Sequence, residues 1–347
     1  MQRAPVLRTL RRSLSSLQSR LPADARAGAN WDVSVTSKLV DGLLRDGYYV
    51  VHDAFPVEYL RQLRDEMELL RTSGQLYPNS THILLNDAAN AGQAKTLLLE
   101  KHDILETELA LDAVRDQTSV PFLRDFFEQQ VVFDPLRRAL PEWLGLAGHM
   151  CKVQHNAGRG CFPMHFDSYG DDGKCVTAVL YLNEEWEESD GGEIVLYPFP
   201  KSRVVVQPRF GELVLFSSQQ MLHRVMPANK QRYALTTWIY HAPGPTATAE
   251  SDSFYYKTMT SEQDAFRAMV TKILQSPFRR HLVKLAYAKE WARSLRESHL
   301  QTEAFEHYMT THEQELQVIE AATTRMLGNF RTKDSNLPKT KEELMSG

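Results

Sequence analysis

The chain has little of what a secreted or membrane-embedded protein needs. Its 347 residues include only three cysteines, Cys151, Cys161 and Cys175. The number is odd and no CxxC pair is present, which argues against both a disulfide framework and a zinc ribbon, so a reducing compartment fits. No apolar run nears the roughly 18 residues of a membrane-spanning helix, and no secretory apolar segment is present, so a soluble mature protein with no membrane span is expected. One-signed charge is also missing. The formal net charge is −4, with both signs spread along the chain, which disfavours nucleic acid and anionic membrane surfaces as partners. Internal repeats are absent.

Acidic residues are missing from the first 23 positions, while Arg3, Arg8, Arg11, Arg12 and Arg20 are present. Leu7, Leu10, Leu14, Leu17 and Leu21 recur at intervals of three and four, which places them on one helix face. This pattern suits a transit peptide over residues 1–30, and mitochondrial import is expected, with a basic surface helix or tail in a cytoplasmic protein as the alternative.

Residues 31–146 read as a mainly helical support region. The apolar face Leu39, Val40, Leu43, Leu44 stops at Gly47, a short strand follows, and Pro56 opens a helix with Leu60, Leu63, Met67 and Leu70 on one side. Residues 75–98 are turn-rich and predict an irregular loop, and one helix is predicted from Pro121 to about Leu140. From Met150 the pattern changes to seven short β-rich runs, from "MCKVQH" to "RYALTTWIY", with turns "GDDGK", "SDGGE" and "PRFG" between them. That spacing predicts an antiparallel sandwich or jelly roll over residues 147–243. Residues 244–330 read as a helical extension and 331–347 as a polar tail. Within the extension a helix is expected from Pro277 to Ser298. Beyond it, Phe305, Met309, His312, Leu316, Ile319, Thr323 and Met326 form a narrow seam for a helical partner, either that preceding helix or another chain in a homo-oligomer.

The chemistry concentrates in "MHFDSYGDDGKCVTAVLYLN". His165 and Asp167 are two apart on or beside a strand, so their side chains point the same way and can grip one ion. His223 can be a third ligand. Two imidazoles and a carboxylate on one octahedral face leave three positions open, the arrangement of non-heme Fe(II) oxygenases. With twelve histidines in the chain, an HxD pair alone is weak. Arg232, nine residues after His223 and followed by Tyr233, Ala234 and Leu235, adds more. A buried guanidinium needs a carboxylate, which either a dicarboxylate cosubstrate or a protein side chain can supply.

The ordered set His165-Phe166-Asp167, "GKCVTAVLYLN", "GGE", His223 and Arg232 in "RYALTTW" resembles the Fe(II)- and 2-oxoglutarate-dependent dioxygenases. Within them it is most similar to the prolyl 4-hydroxylases, on the branch with the oxygen-sensing enzymes. The resemblance spans about Met150 to His241. It implies an α+β protein with a double-stranded β-helix (cupin-like jelly roll) core, N-terminal supporting helices and a helical C-terminal extension. His165, Asp167 and His223 would bind Fe2+; Arg232 and Tyr181 would hold the distal carboxylate of 2-oxoglutarate; Thr236 and Trp238 would line the pocket. The oxygen-sensing branch carries a tyrosine ten residues before the first iron histidine; this chain has His155 there, a candidate contact to the cosubstrate. Lys174 matches a basic position at the substrate entrance, and arginine at 232 departs from the lysine of the collagen-type branch.

The implied reaction is hydroxylation of an unactivated C–H bond using O2, with ascorbate as reductant and succinate and CO2 as products. A prolyl residue of a protein is the expected substrate; a free amino acid or small metabolite is the alternative. An Fe/2-oxoglutarate-binding sensor or assembly module is a further reading. A zinc hydrolase ranks last, since no general-base glutamate accompanies His165.

Overall fold

The computed structural model describes residues 31, 34–86, 94–111, 118–168, 172–242 and 278–331, with side chains omitted for 82–86, 94–97 and 326–331. The expected transit segment (1–30) and the tail (331–347), apart from the last helical residue of the final helix, lie outside them. Helix α1 (Ser37–Asp46) starts where Thr36 Oγ1 accepts the Leu39 N–H and ends at Gly47, whose φ of 76° few other residues tolerate. It buries Leu39 and Leu43. Strand β1 (Tyr48–Val51) leads to α2 (Val57–Thr72), which buries Leu60, Leu63, Met67 and Leu70 on one face.

The expected loop at 75–98 is instead a hairpin of β2 (Tyr77–Asn86) and β3 (Ala94–Glu108). Pro78, Asn79 and Asn86 mask it locally. The end of β3 pairs with the central sheet, Ile104 to Glu108 lying opposite Asn156 to Lys152, so tertiary pairing overrides the turn-rich composition. The single helix expected over 121–140 is two, α3 (Pro121–Glu128) and α4 (Phe133–Ala139), parted where Gln130 adopts φ 53°.

Eight strands follow: β4 (Leu146–Asn156), β5 (Phe162–His165), β6 (Lys174–Tyr181), β7 (Ile194–Tyr197), β8 (Val204–Val206), β9 (Leu213–Ser217), β10 (Leu222–Val225) and β11 (Arg232–His241). Seven of these match the expected β-rich runs; the eighth, β5, carries Pro163 and is the strand on which His165 lies, where no separate run was predicted. They form two sheets, a large one ordered β1-β9-β6-β11-β4-β3-β2 and a small one ordered β5-β10-β7-β8. Hydrogen bonding does not continue from one sheet to the other among the described residues, so the core is two sheets and not a closed barrel.

Val179, Tyr181, Ile194, Leu196, Val214, Phe216 and Ala234 form one buried cluster drawn from both sheets. Helices α1 to α4 cover the outer face of the large sheet in the largest apolar cluster. The small sheet is covered by α5 (Phe278–Ala286), α6 (Ala288–Ser298) and α7 (Glu303–Arg331). The one helix expected over 277–298 is thus interrupted at Tyr287. The first part of the seam on α7, Phe305 and Met309, packs with Val283, Trp291 and Leu295 of the same chain. No helix among the described residues is long and apolar enough to cross a membrane.

Candidate active site

The pleat places the two histidines before any ion is considered. His165 ends β5 and His223 lies directly across from it on β10, with ring centroids 4.3 Å apart. Asp167 follows two residues after His165, just beyond the strand. Its Oδ1 is 3.3 Å from His165 Nε2 and 3.6 Å from His223 Nε2. Two neighbouring ligands at about 2.1 Å from one ion are about 3 Å apart, so these separations fit a shared metal after small side-chain shifts. Among the described residues, these are the group of three whose donor atoms lie close enough to hold one.

Surrounding hydrogen bonds select the facing atoms. His165 Nδ1 is 2.8 Å from Pro163 O, and His223 Nδ1 is 3.1 Å from Met221 O. A carbonyl only accepts, so each Nδ1 carries the proton and each Nε2 presents a lone pair. Asp167 Oδ2 accepts from Thr177 Oγ1 at 2.6 Å and from Trp238 Nε1 at 3.0 Å, which turns Oδ1 to the centre. Thr177 and Trp238 are themselves cross-strand partners on β6 and β11. Burial pushes the Asp167 carboxyl upward, but His223, His165 and the Thr177 hydroxyl outweigh it and hold the group well below the usual carboxylate range. Burial and neighbouring His165 push His223 down to about 4, so its imidazole is neutral at physiological pH. Both are the protonation states a divalent ion requires.

A cavity of about 380 Å³ opens beside these ligands and is lined by Tyr181, Arg232, Thr236 and Trp238 as well as His165, Asp167 and His223. Arg232 is 1% exposed, and its guanidinium carbon lies 4.9 Å from the Tyr181 ring centroid. No carboxylate forms an ion pair with it among the described residues. Burial lowers the Arg232 pKa against the opposing effects of Tyr181 and the Glu193 carboxylate, and Arg232 Nε lacks a hydrogen-bond partner. This pair fits an anionic group entering the cavity. The "GGE" turn has a steric reason: Gly192 has φ +70°, and a Cβ there would come within 3.1 Å of Arg232 Cδ and Trp186 Cζ2.

The candidate His155 requires correction. It is absent from the cavity wall and makes a tilted ring contact with Tyr233, with centroids 4.7 Å apart. Residues alternate across β4, so Lys152 and Gln154 face the cavity while Val153 and His155 face the helices. Gln154 accepts from Thr236 Oγ1 at 3.3 Å. Lys174 is held by Asp172 at 2.8 Å and is not on the wall. Sequence reasoning missed Thr177, although its place two residues before Val179 and four before Tyr181 on one strand face was readable. It also missed Lys101 of β3 and Trp291, Leu295 and Tyr308 of the C-terminal helices, which line the same cavity through tertiary packing that no local pattern encodes.

Residues 151–240 match the profile of the 2OG-Fe(II) oxygenase superfamily. Egl nine homolog 1 of Rattus norvegicus is 37% identical over 81 residues, covering 22% of this chain and 24% of that protein. Prolyl hydroxylase EGLN3 of Homo sapiens is 33% identical over 107 residues, 28% of this chain and 45% of the relative. The matched stretches thus span a quarter to under half the length of these curated relatives. A crystal structure of a prolyl 4-hydroxylase from Phytophthora capsici superposes with a TM-score of 0.67 at 28% identity, covering 86% of this chain and 90% of that one.

Proposed function

The chain belongs, through residues 151–240, to the 2OG-Fe(II) oxygenase superfamily, and on that premise we propose that it is a dioxygenase that hydroxylates a prolyl residue of a protein. The carrying observation is the pairing of a facial His165–Asp167–His223 donor set with a buried arginine, Arg232, that makes no ion pair with a carboxylate among the described residues. His165, Asp167 and His223 would hold Fe2+; Arg232 and Tyr181 would hold the far carboxylate of 2-oxoglutarate; Thr236 and Trp238 would border it. Iron and 2-oxoglutarate bound there supply the O2-dependent oxidation, in which R–H, 2-oxoglutarate and O2 become R–OH, succinate and CO2.

The chain's own residues orient that chemistry. Thr177 and Trp238 fix the Asp167 carboxylate, backbone carbonyls fix both histidine tautomers, and Val179, Ile194 and Phe216 keep the cosubstrate arm apolar. The distribution of the eight strands, with β4, β6, β9 and β11 in the large sheet and β5, β7, β8 and β10 in the small one, supports a double-stranded β-helix over residues 147–243. The prolyl substrate is supported by the likeness to a prolyl 4-hydroxylase over most of both chains. A free amino acid or small metabolite is the second reading, favoured by Trp291, Leu295 and Tyr308, which bring the C-terminal helices onto the cavity wall. The leucine stripe and acid-free start support mitochondrial residence, and a reporter carrying residues 1–30 tests it; a cytosolic reporter would discard it.

The central experiment is anaerobic titration of metal-free protein with Fe(II) and then 2-oxoglutarate, followed by O2 and mass spectrometry of proline-containing peptides. A visible charge-transfer band, succinate and a one-oxygen addition are expected. Absence of the band sinks the proposal. Succinate without any hydroxylated product would instead favour a sensor or assembly module.

A further inference from the structure

The cavity has a polar wall that the proposed cosubstrate site does not use. Lys101, on β3, lines it together with Asn79 and Thr81 of β2 and His299. The Lys101 ammonium donates to Asn79 Oδ1 and, at 2.9 Å, to Thr81 Oγ1. Thr81 Oγ1 lies 3.3 Å from His299 Nε2. The backbone of His299 forms a β-bridge to Lys101, and the next N–H, of Leu300, donates to Glu100 O at 3.1 Å. The lysine is therefore pinned between β2 and the segment joining α6 to α7, and both of its acceptors are neutral.

The contrast with Lys152 on the same wall is direct. Lys152 has Glu106 at 2.8 Å, whereas no carboxylate pairs with Lys101 among the described residues. An ammonium has three donors, and two are used here. Lys101 is half-buried, and the charges that act on it, Glu106 and Lys152, oppose each other without contacting it, so a carboxylate arriving from the cavity would give the ammonium its first direct ion pair. Burial pushes the Lys101 pKa down to about 8, so it is still mostly protonated at neutral pH. His299 is pushed down to about 4 by burial and by Lys101, so it is neutral and adds no second positive charge. The Phe162 ring centroid lies 5.4 Å from Lys101 Nζ, and Trp291 and Tyr308 share the cavity wall, giving an apolar body next to one cationic point.

From this juxtaposition we propose that Lys101 is the substrate-recognition residue for a carboxylate: the molecule hydroxylated beside His165, Asp167 and His223 carries an acid group that docks on Lys101. The inference rests on the oxygenase reading above. The same chemistry is supplied by a free imino or amino acid or by an Asp or Glu side chain next to the reacting residue of a peptide.

Two matched pairs of probes separate these sources: N-acetyl-proline against N-acetyl-prolinamide, and acetyl-Pro-Asp-amide against acetyl-Pro-Asn-amide. Binding to the full chain loaded anaerobically with Fe(II) and 2-oxoglutarate is read by saturation-transfer NMR and calorimetry. We expect the acid of at least one pair to bind tenfold or more tightly than its amide. The preference should vanish in Lys101→Met, with Lys101→Gln as a second variant, and return in Lys101→Arg, with 2-oxoglutarate affinity unchanged in all three. Equal binding of acid and amide in both pairs, no binding of any probe, or a preference that survives loss of the lysine overturns the proposal. Failure of the unaltered protein to bind 2-oxoglutarate would instead strike the oxygenase reading.

Discussion

Replacing Arg232 separates a cosubstrate anchor from a structural ion pair, because the two roles predict opposite effects on the ligand-free protein. Arg232 is 1% exposed and has no carboxylate partner among the described residues. Breaking a buried ion pair costs about 3–5 kcal/mol, whereas removing an unpaired buried charge relieves its desolvation. Arg232→Met should therefore leave the melting temperature of the protein without 2-oxoglutarate unchanged or higher. The unaltered protein should gain about 2.7 kcal/mol from 2-oxoglutarate at 100 times its Kd, and the variant almost none. Arg232→Lys keeps the charge but loses the two-pronged geometry; forfeiting one charge-assisted hydrogen bond of about 1.5–3 kcal/mol weakens 2-oxoglutarate roughly 10- to 150-fold. Metal content should be normal in both. Differential scanning calorimetry and anaerobic isothermal titration make the comparison. A ligand-free Arg232→Met protein destabilised by 3 kcal/mol or more, or an Arg232→Lys protein with unaltered 2-oxoglutarate affinity, would refute the reasoning.

Thr177→Val removes the 2.6 Å hydrogen bond that holds Asp167 Oδ2, and Fe(II) affinity should fall about 10- to 100-fold, as for other partners of metal ligands; competition with a calibrated chelator measures it, and unaltered affinity would exclude this role. His299 and His312 are buried, and burial is the main cause that pushes each down to about 4, below the ordinary histidine value. The unfolded chain therefore binds protons first, so their contribution to stability is present above pH 6.5 and is lost as pH falls from there toward 4. Thermal melts across that window should show the loss, and His312→Leu should flatten part of it; an identical slope in the variant would dismiss His312. Deleting residues 278–347 would uncover Met164, Phe166 and Leu222 and strip the buried Arg224 of Glu297, which it contacts at 2.6 Å. The truncated protein should be poorly soluble, and a soluble truncation that still binds Fe(II) and 2-oxoglutarate with full affinity would show these helices to be dispensable.

The metal donor set could be read from the chain because local rules govern each part. Residues 165 and 167 share a direction through the two-residue period of a strand, and Arg232 opens an apolar run where a bare charge stands out. The "GGE" turn was visible for a similar reason, since Gly192 needs a positive φ and has no room for a Cβ. Facts that depend on which strand lies beside which were not readable. Counting ten residues back from His165 reached His155, yet the pleat of β4 against β11 turns that ring toward Tyr233 and brings Gln154 to the cavity. The hairpin β2–β3 looked like a loop because its turn-forming residues are local, while the pairing that overrides them joins residues about fifty positions apart, Leu105 with His155. Lys101, Trp291 and Tyr308 reach the cavity only because that hairpin and helices α6 and α7 pack beside β5. Periodicity shows that a face is apolar or that a cation is present, but long-range packing alone decides which surface that face covers and whether the cation has a partner.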